Sequence, residues 1–118
     1  MDIERIGGGA KGRSSGTAYG GLVWAVAVDP KSSPSMVDQT RGALARIDEI
    51  LAKAGTNKSR ILNATVYVSV MDKKDEMDVA WVEWAGDDPQ GWAQRACVGT
   101  KLAPGHLVEI VVIAAREA

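Results

Sequence analysis

Arg95, Cys97 and Glu109 are the residues whose types and spacing promise chemistry in this chain. Arg95-Ala96-Cys97-Val98-Gly99 reads as a short strand. Strand side chains alternate faces, so Arg95 and Cys97 point one way while Ala96 and Val98 point the other. After a Pro104-Gly105-His106 turn, Leu107-Val108-Glu109-Ile110-Val111-Val112 reads as a second strand, and the two runs together predict a hairpin. If Gly99 pairs opposite Leu107, Cys97 lies opposite Glu109. That register gathers a guanidinium, a thiol and a carboxylate at one strand end, a set able to hold a small carboxylate and to handle a proton.

Each of these residues also has an ordinary reading. Arginines near strand ends often serve only in ion pairs. Here Trp92-Ala93-Gln94 and Ala96-Cys97-Val98 make an apolar setting in which an unpaired guanidinium is costly, and its planar fork suits a carboxylate better than lysine does. Glu109 interrupts an apolar strand and must be paired or protonated if buried; a structural ion pair with Arg95 or with another subunit is its alternative role. Cys97 is the only cysteine and has no nearby histidine, so it is expected to line a cleft rather than act as a nucleophile. His106 is the single histidine, so no metal site and no triad can be built on it, and a place in solvent is expected. Gly7-Gly8-Gly9-Ala10-Lys11-Gly12-Arg13-Ser14 has the glycine spacing of a nucleotide loop, but Ser15 to Gly21 supplies no helix to follow it; a flexible loop is expected.

The elements that must position these groups follow from periodicity. Leu22 to Val28, bounded by Gly20-Gly21 and Asp29-Pro30, reads as a buried strand. Val37, Thr40, Leu44, Ile47 and Leu51 draw one stripe on a helix, which Ser33 before Pro34, or Ser35 with Asp38, can begin and a left-handed Gly55 can end. Leu62, Ala64, Val66, Val68 and Val70 alternate with Asn63, Thr65, Tyr67, Ser69 and Met71, a strand with one buried and one semi-polar face. Asp72 can cap a second helix carrying Met77, Ala80, Trp81 and Trp84, stopped by Gly86. The order strand, helix, strand, helix, hairpin suits an α+β fold with both helices on one face of a sheet. The semi-polar Thr65, Tyr67 and Ser69 would suit a face between subunits.

The 118 residues fit one domain, 1–118. Fourteen Lys plus Arg against fifteen Asp plus Glu give a net charge of -1, so no broad positive field draws nucleic acid. No apolar run approaches a membrane span, and Met1-Asp2-Ile3-Glu4-Arg5 is not an apolar leader; a cytoplasmic protein with no membrane partner is expected.

Arg95 to Gly99 and Leu107 to Ala115 together resemble the RidA family of imine deaminases, also called the YjgF or endoribonuclease L-PSP family. Gln39-Thr40-Arg41, Leu44, Ile47 to Leu51, Ala54-Gly55-Thr56, Lys58-Ser59, Ile61-Leu62 and Ala64 to Ser69 follow that family in order and spacing. Asp75-Glu76-Met77 and Trp81 to Trp84 continue the likeness, which runs from about Val28 to the end. The resemblance implies a chorismate-mutase-like (RidA/YjgF) fold assembled as a homotrimer, with sheets inward, helices outside and ligand clefts between subunits. It implies that Arg95 grips a substrate carboxylate, that Glu109 positions a water, that the glycine-rich N-terminal stretch helps to wall the cleft, and that a tyrosine lies over the ligand, Tyr19 being the nearest candidate. Two features depart from the family: Ser-Gly-Gln gives way to Trp24-Ala25-Val26-Ala27-Val28, and Pro-Ala before the arginine is Ala93-Gln94.

The implied activity is hydrolysis of enamines or imines derived from amino acids, of the 2-iminopropanoate type, to keto acid and ammonia, with neither cofactor nor metal. The alternative is a non-catalytic module that binds a small carboxylate in a trimer cleft, which needs Arg95 but not Glu109. RNA cleavage ranks last, since the chain has neither a basic stripe nor a pair of histidines for acid–base work.

Overall fold

The apolar stripe between Met36 and Lys53 forms helix α1, as its spacing predicts. In the computed structural model, which describes residues 2–117, Ser35 is its cap: the Ser35 hydroxyl accepts from the Asp38 amide at 3.1 Å. Gly55, at φ 83°, turns the chain away at the other end. Met36, Gln39, Thr40, Ala43, Leu44, Ile47, Ile50 and Leu51 are buried against a six-stranded sheet.

The strands are β1 (Glu4–Gly7), β2 (Ser14–Tyr19), β3 (Leu22–Ala27), β4 (Ile61–Val68), β5 (Gln94–Gly99) and β6 (Val108–Ala115), in the spatial order β1-β2-β3-β6-β4-β5. Helix α2 (Lys74–Ala85) connects β4 to β5, which run parallel, and every other pairing is antiparallel. Both helices pack on one face, giving an α+β slab of 43 × 37 × 20 Å. The core lies between the layers, where Val23, Ala64, Val66, Val68, Val108, Ile110, Val112 and Ala114 meet Leu44, Ile47, Ile50, Leu51 and Met77.

Three expectations need correction. The hairpin between the Arg95 strand and the Glu109 strand does not exist: β6 inserts between β3 and β4, while β5 pairs only with β4 at the sheet edge. The physical reason is side-chain character. Strand β6 is apolar on both faces and belongs at the centre of a sheet, whereas β5 carries Gln94 and Arg95 and tolerates an edge. The expected element order began at Leu22, but two strands, β1 and β2, precede it, and the expected loop is confined to the segment between them. Asp72 does not cap α2, because it lies in a single 3-10 turn (Met71–Lys73), and Lys73 occupies the cap position without a side-chain bond.

Among the described residues, no helix is long and apolar enough to cross a membrane.

Candidate functional site

Strand alternation sends the expected site residues to different places. Arg95 and Cys97 pair with Ala64 and Val66, both fully buried, so they face the helices. Glu109 pairs with Tyr67 and faces the opposite, helix-free side of the sheet. The expected register with Cys97 opposite Glu109 is therefore wrong, and within one chain the sheet itself stands between the guanidinium and the carboxylate. Tyr19 is displaced as well. It lies at the β2–β3 turn, beside the Ala115 end of β6, whereas Glu109 lies near the other end of that strand. Around Tyr19 is a shallow groove lined by Ile3, Arg5, Thr17, Ala18 and Trp24.

Arg95 is held from three sides by α2. Its Nη2 lies 2.8 Å from Asp78 Oδ1, its Nη1 donates to Met77 Sδ at 3.8 Å, and its guanidinium carbon sits 5.1 Å from the centre of the Trp81 ring. Lys74, one helical turn before Asp78, donates to the other carboxylate oxygen at 2.6 Å. Burial alone would raise the Asp78 carboxyl, but the donors and charges of Lys74 and Arg95 outweigh it and hold the group below its ordinary value. This trio keeps one uncompensated positive charge. Cys97 is a free, half-buried thiol packed against the core.

Glu109 lines a cleft of about 490 Å³ on the rim of the sheet. Its walls come from the glycine-rich segment (Gly8, Ala10, Arg13), the end of β3 (Val26, Ala27, Val28), Pro30, Arg46 on α1, and the turn that carries Ala103 and His106. Glu109 is half-buried and makes no ion pair among the described residues. His106, expected in solvent, is instead half-buried, and its Nδ1 is enclosed with no hydrogen-bond partner among the described residues.

Two buried polar side chains hold these walls. Gln39 is 1% exposed; its amide nitrogen donates to Ser33 O and Gly105 O, both at 2.8 Å, and its amide oxygen accepts from the Leu107 amide at 2.8 Å. It thereby ties the turn bearing His106, and the start of β6, to the beginning of α1. Asp29 accepts from the amides of Lys31 at 3.0 Å and Ser33 at 2.8 Å, which fixes the bend after Val28. Its burial favours the neutral carboxyl, but those amides and the Lys31 charge dominate and lower its pKa. A Cβ at Gly42 would collide with the Asp29 carboxylate, so glycine on α1 makes room for the bend.

Sequence reasoning passed over the roles of Asp78 and Gln39, whereas the glycine-rich stretch that includes Arg13 was expected to wall a cleft and lines the one beside Glu109. Asp78 had a signal in the Lys74–Asp78 spacing of four. Gln39 had one too, as an amide on the apolar stripe of a helix. Among the described residues no group of three or more histidine, cysteine or acidic side chains could hold a metal ion.

Comparison with known proteins bears on this arrangement. The family model described as Endoribonuclease L-PSP matches residues 24–116. A RutC family protein of Haemophilus ducreyi is 42% identical over 99 residues, spanning 82% of this chain and 83% of its own length. The RutC family protein YoaB of Escherichia coli is 40% identical over 82 residues, spanning 66% of this chain and 68% of its own. Among solved structures, NMB1025 of Neisseria meningitidis, a member of the YjgF protein family, superposes with a TM-score of 0.89 at 32% identity, covering 100% of this chain and 98% of that one. Yeast Mmf1 superposes with a TM-score of 0.88 at 16% identity over 98% of this chain and 100% of its own, a likeness of fold alone.

Proposed function

This chain belongs to the endoribonuclease L-PSP family, and we propose that it hydrolyses reactive enamines and imines derived from amino acids, of the 2-iminopropanoate type, to the keto acid and ammonia. The observation that carries this reading is Glu109: a half-buried carboxylate without an ion-pair partner among the described residues, lining a cleft on a sheet face that neither helix covers. Trp24 and Val26 are more than a third exposed on that same face, with Val111, Ile113, Thr65 and Tyr67 beside them. In our reading this face packs against further copies in a homotrimer. A neighbouring copy then brings the edge strand β5, with Arg95 and the lining Cys97, to the Glu109 cleft. The expected role of Tyr19 over the ligand has no support from its position and is left out of the site.

The chemistry asks little of the protein. Arg95 holds the substrate carboxylate by a bidentate contact, and Glu109 orients a water toward the imine carbon. As the water oxygen bonds to that carbon, the C=N electron pair moves to nitrogen, and a water proton passes through Glu109 to it. The carbinolamine then collapses to the ketone and expels ammonia. An enamine first takes a proton at carbon and gives one up from nitrogen to become the imine. Such substrates also hydrolyse unaided, so positioning and charge complementarity suffice.

The test is release of ammonia or keto acid from freshly generated amino-acid imines. The wild-type chain should accelerate release, and Glu109→Gln should bind the keto-acid product nearly normally while hydrolysis drops toward the spontaneous rate. One feature favours a second reading, a non-catalytic binder of small carboxylates: the apolar Val26-Ala27-Val28 wall, which offers no polar side chain to a reacting substrate. Tight binding of keto acids with no acceleration by the wild type would select it.

A further inference from the structure

The Glu109 cleft contains a cation that the proposed reaction does not use. Arg13 is exposed, forms no ion pair among the described residues, and lines the same cleft as Glu109 and His106. The other charged groups there are accounted for. Arg46 is only 19% exposed and is already engaged by Glu49 at 3.3 Å, and Glu109 is reserved for the water. His106 Nδ1 is enclosed, closed to a ligand in the cleft, and has no hydrogen-bond partner among the described residues. Chain geometry delivers Arg13 to this place. Gly9 and Gly12 adopt φ of 88° and 87°, which reverse the chain between β1 and β2, and a Cβ at Gly8 would collide with the Ser15 hydroxyl. A flexible spacer would need none of this.

We infer that Arg13 is a specificity-determining residue that receives a second anionic group of the ligand. The inference rests on the proposed reading in one respect, that Arg95 of a neighbouring copy takes the first carboxylate. The two ends of the assembled cleft then each carry one uncompensated positive charge, Arg13 at one and the Lys74–Asp78–Arg95 trio at the other, with Glu109 between them. That pattern suits an imino acid with a second acidic group on its side chain, a 2-imino dicarboxylate, over one with an apolar side chain. A monoanion leaves Arg13 without a partner.

Titration calorimetry on the intact protein decides it, with two stable keto-acid products as probes: pyruvate, with one carboxylate, and 2-oxoglutarate, with two. The dicarboxylate should bind about tenfold more tightly, the gain expected for one charge-assisted hydrogen-bonding partner. Arg13→Gln should remove that preference. Arg5→Gln, which takes a like charge from the groove beside Tyr19, should keep it. Equal affinities in the wild type, no binding of either probe at millimolar concentration, a preference that survives Arg13→Gln, or one that Arg5→Gln also abolishes would each overturn the inference. Its failure is separable from failure of the deaminase reading, because the probes are products and report binding without turnover. A dicarboxylate preference with no imine hydrolysis would refute the reaction and leave the ligand class standing.

Discussion

On its helix-covered face the sheet presents Val23, Val66, Val68, Val108 and Ile110 fully buried, whereas on the other face Trp24, Val26 and Val98 remain more than a third exposed. The two faces are built from the same strands, so the contrast comes from alternation alone. Its sharpest form is the fate of the two charged residues. Arg95 lies on the covered face and has Asp78, Met77 and Trp81 around it, while Glu109 lies on the open face in a cleft with no ion-pair partner among the described residues. The covered side is complete within one chain. The open side has its interaction capacity unspent, which is where binding to another molecule gains most.

The first way to break this comparison is to charge the open face. Val111 lies in the middle of it, between Val26 and Thr65. Val111→Glu should abolish assembly in sedimentation equilibrium while the circular dichroism of the fold persists; an unfolded variant would mean that this face is internal to one chain's stability. Its neighbour Ile110, fully buried on the covered face, gives the matching measurement. Ile110→Ala should lower the urea-derived stability by about 2–5 kcal/mol, the range for truncating a packed aliphatic side chain. Arg95→Lys keeps the charge but loses the fork, so affinity for pyruvate should fall by about 1.5–3 kcal/mol in calorimetry. Unchanged binding and turnover with the fold intact would assign Arg95 to its ion pair with Asp78 alone.

The smallest effect concerns that pair. The folded-state pKa of Asp78 is lowered, so its contribution is present above the unfolded value of about 4 and is lost as the pH falls through the lower folded value. Asp78→Asn should therefore be less stable than wild type near pH 7, by about 1 kcal/mol given a partly exposed group, and the difference should be smaller at about pH 3. Urea midpoints at the two pH values measure it. A constant difference across that range would show that Asp78 acts through packing.

How much was legible in the sequence depended on whether a local pattern carried the information. Helix α1 and the alternation of β4 from Ala64 to Val68 were readable because the stripe and the period-two pattern have no competing explanation, but Leu62 and Val70, expected on the buried face, are exposed. Strand β2 was not, because α1 packs so closely over it that its buried face is only Gly16 and Ala18. A Cβ on Gly16 would come within 2.5 Å of Ile50 Cγ2, so the tight packing erases the apolar signal that would have revealed the strand. The facing of Arg95 with Cys97 followed from alternation and held, but their partner strand is a matter of topology. The two-sided apolarity of Val108 to Ala115 was the available clue that β6 is central and so is not half of a hairpin at the edge. The family likeness named Arg95 and Glu109 without saying that they face apart in one chain.

The position of β6 has a consequence for how the chain reaches this fold during synthesis. Strands β1, β2 and β3 form one antiparallel group, β4 with α2 and β5 forms another, and β6, which follows both in the chain, is the only strand paired with each. Until Val108 to Ala115 has been made, no strand pairing joins the two groups, and each waits with an unmet edge at the future centre of the sheet. Closure is thus a single late event that depends on contacts distant in sequence, the kind that slows folding and leaves strand edges open to wrong partners meanwhile.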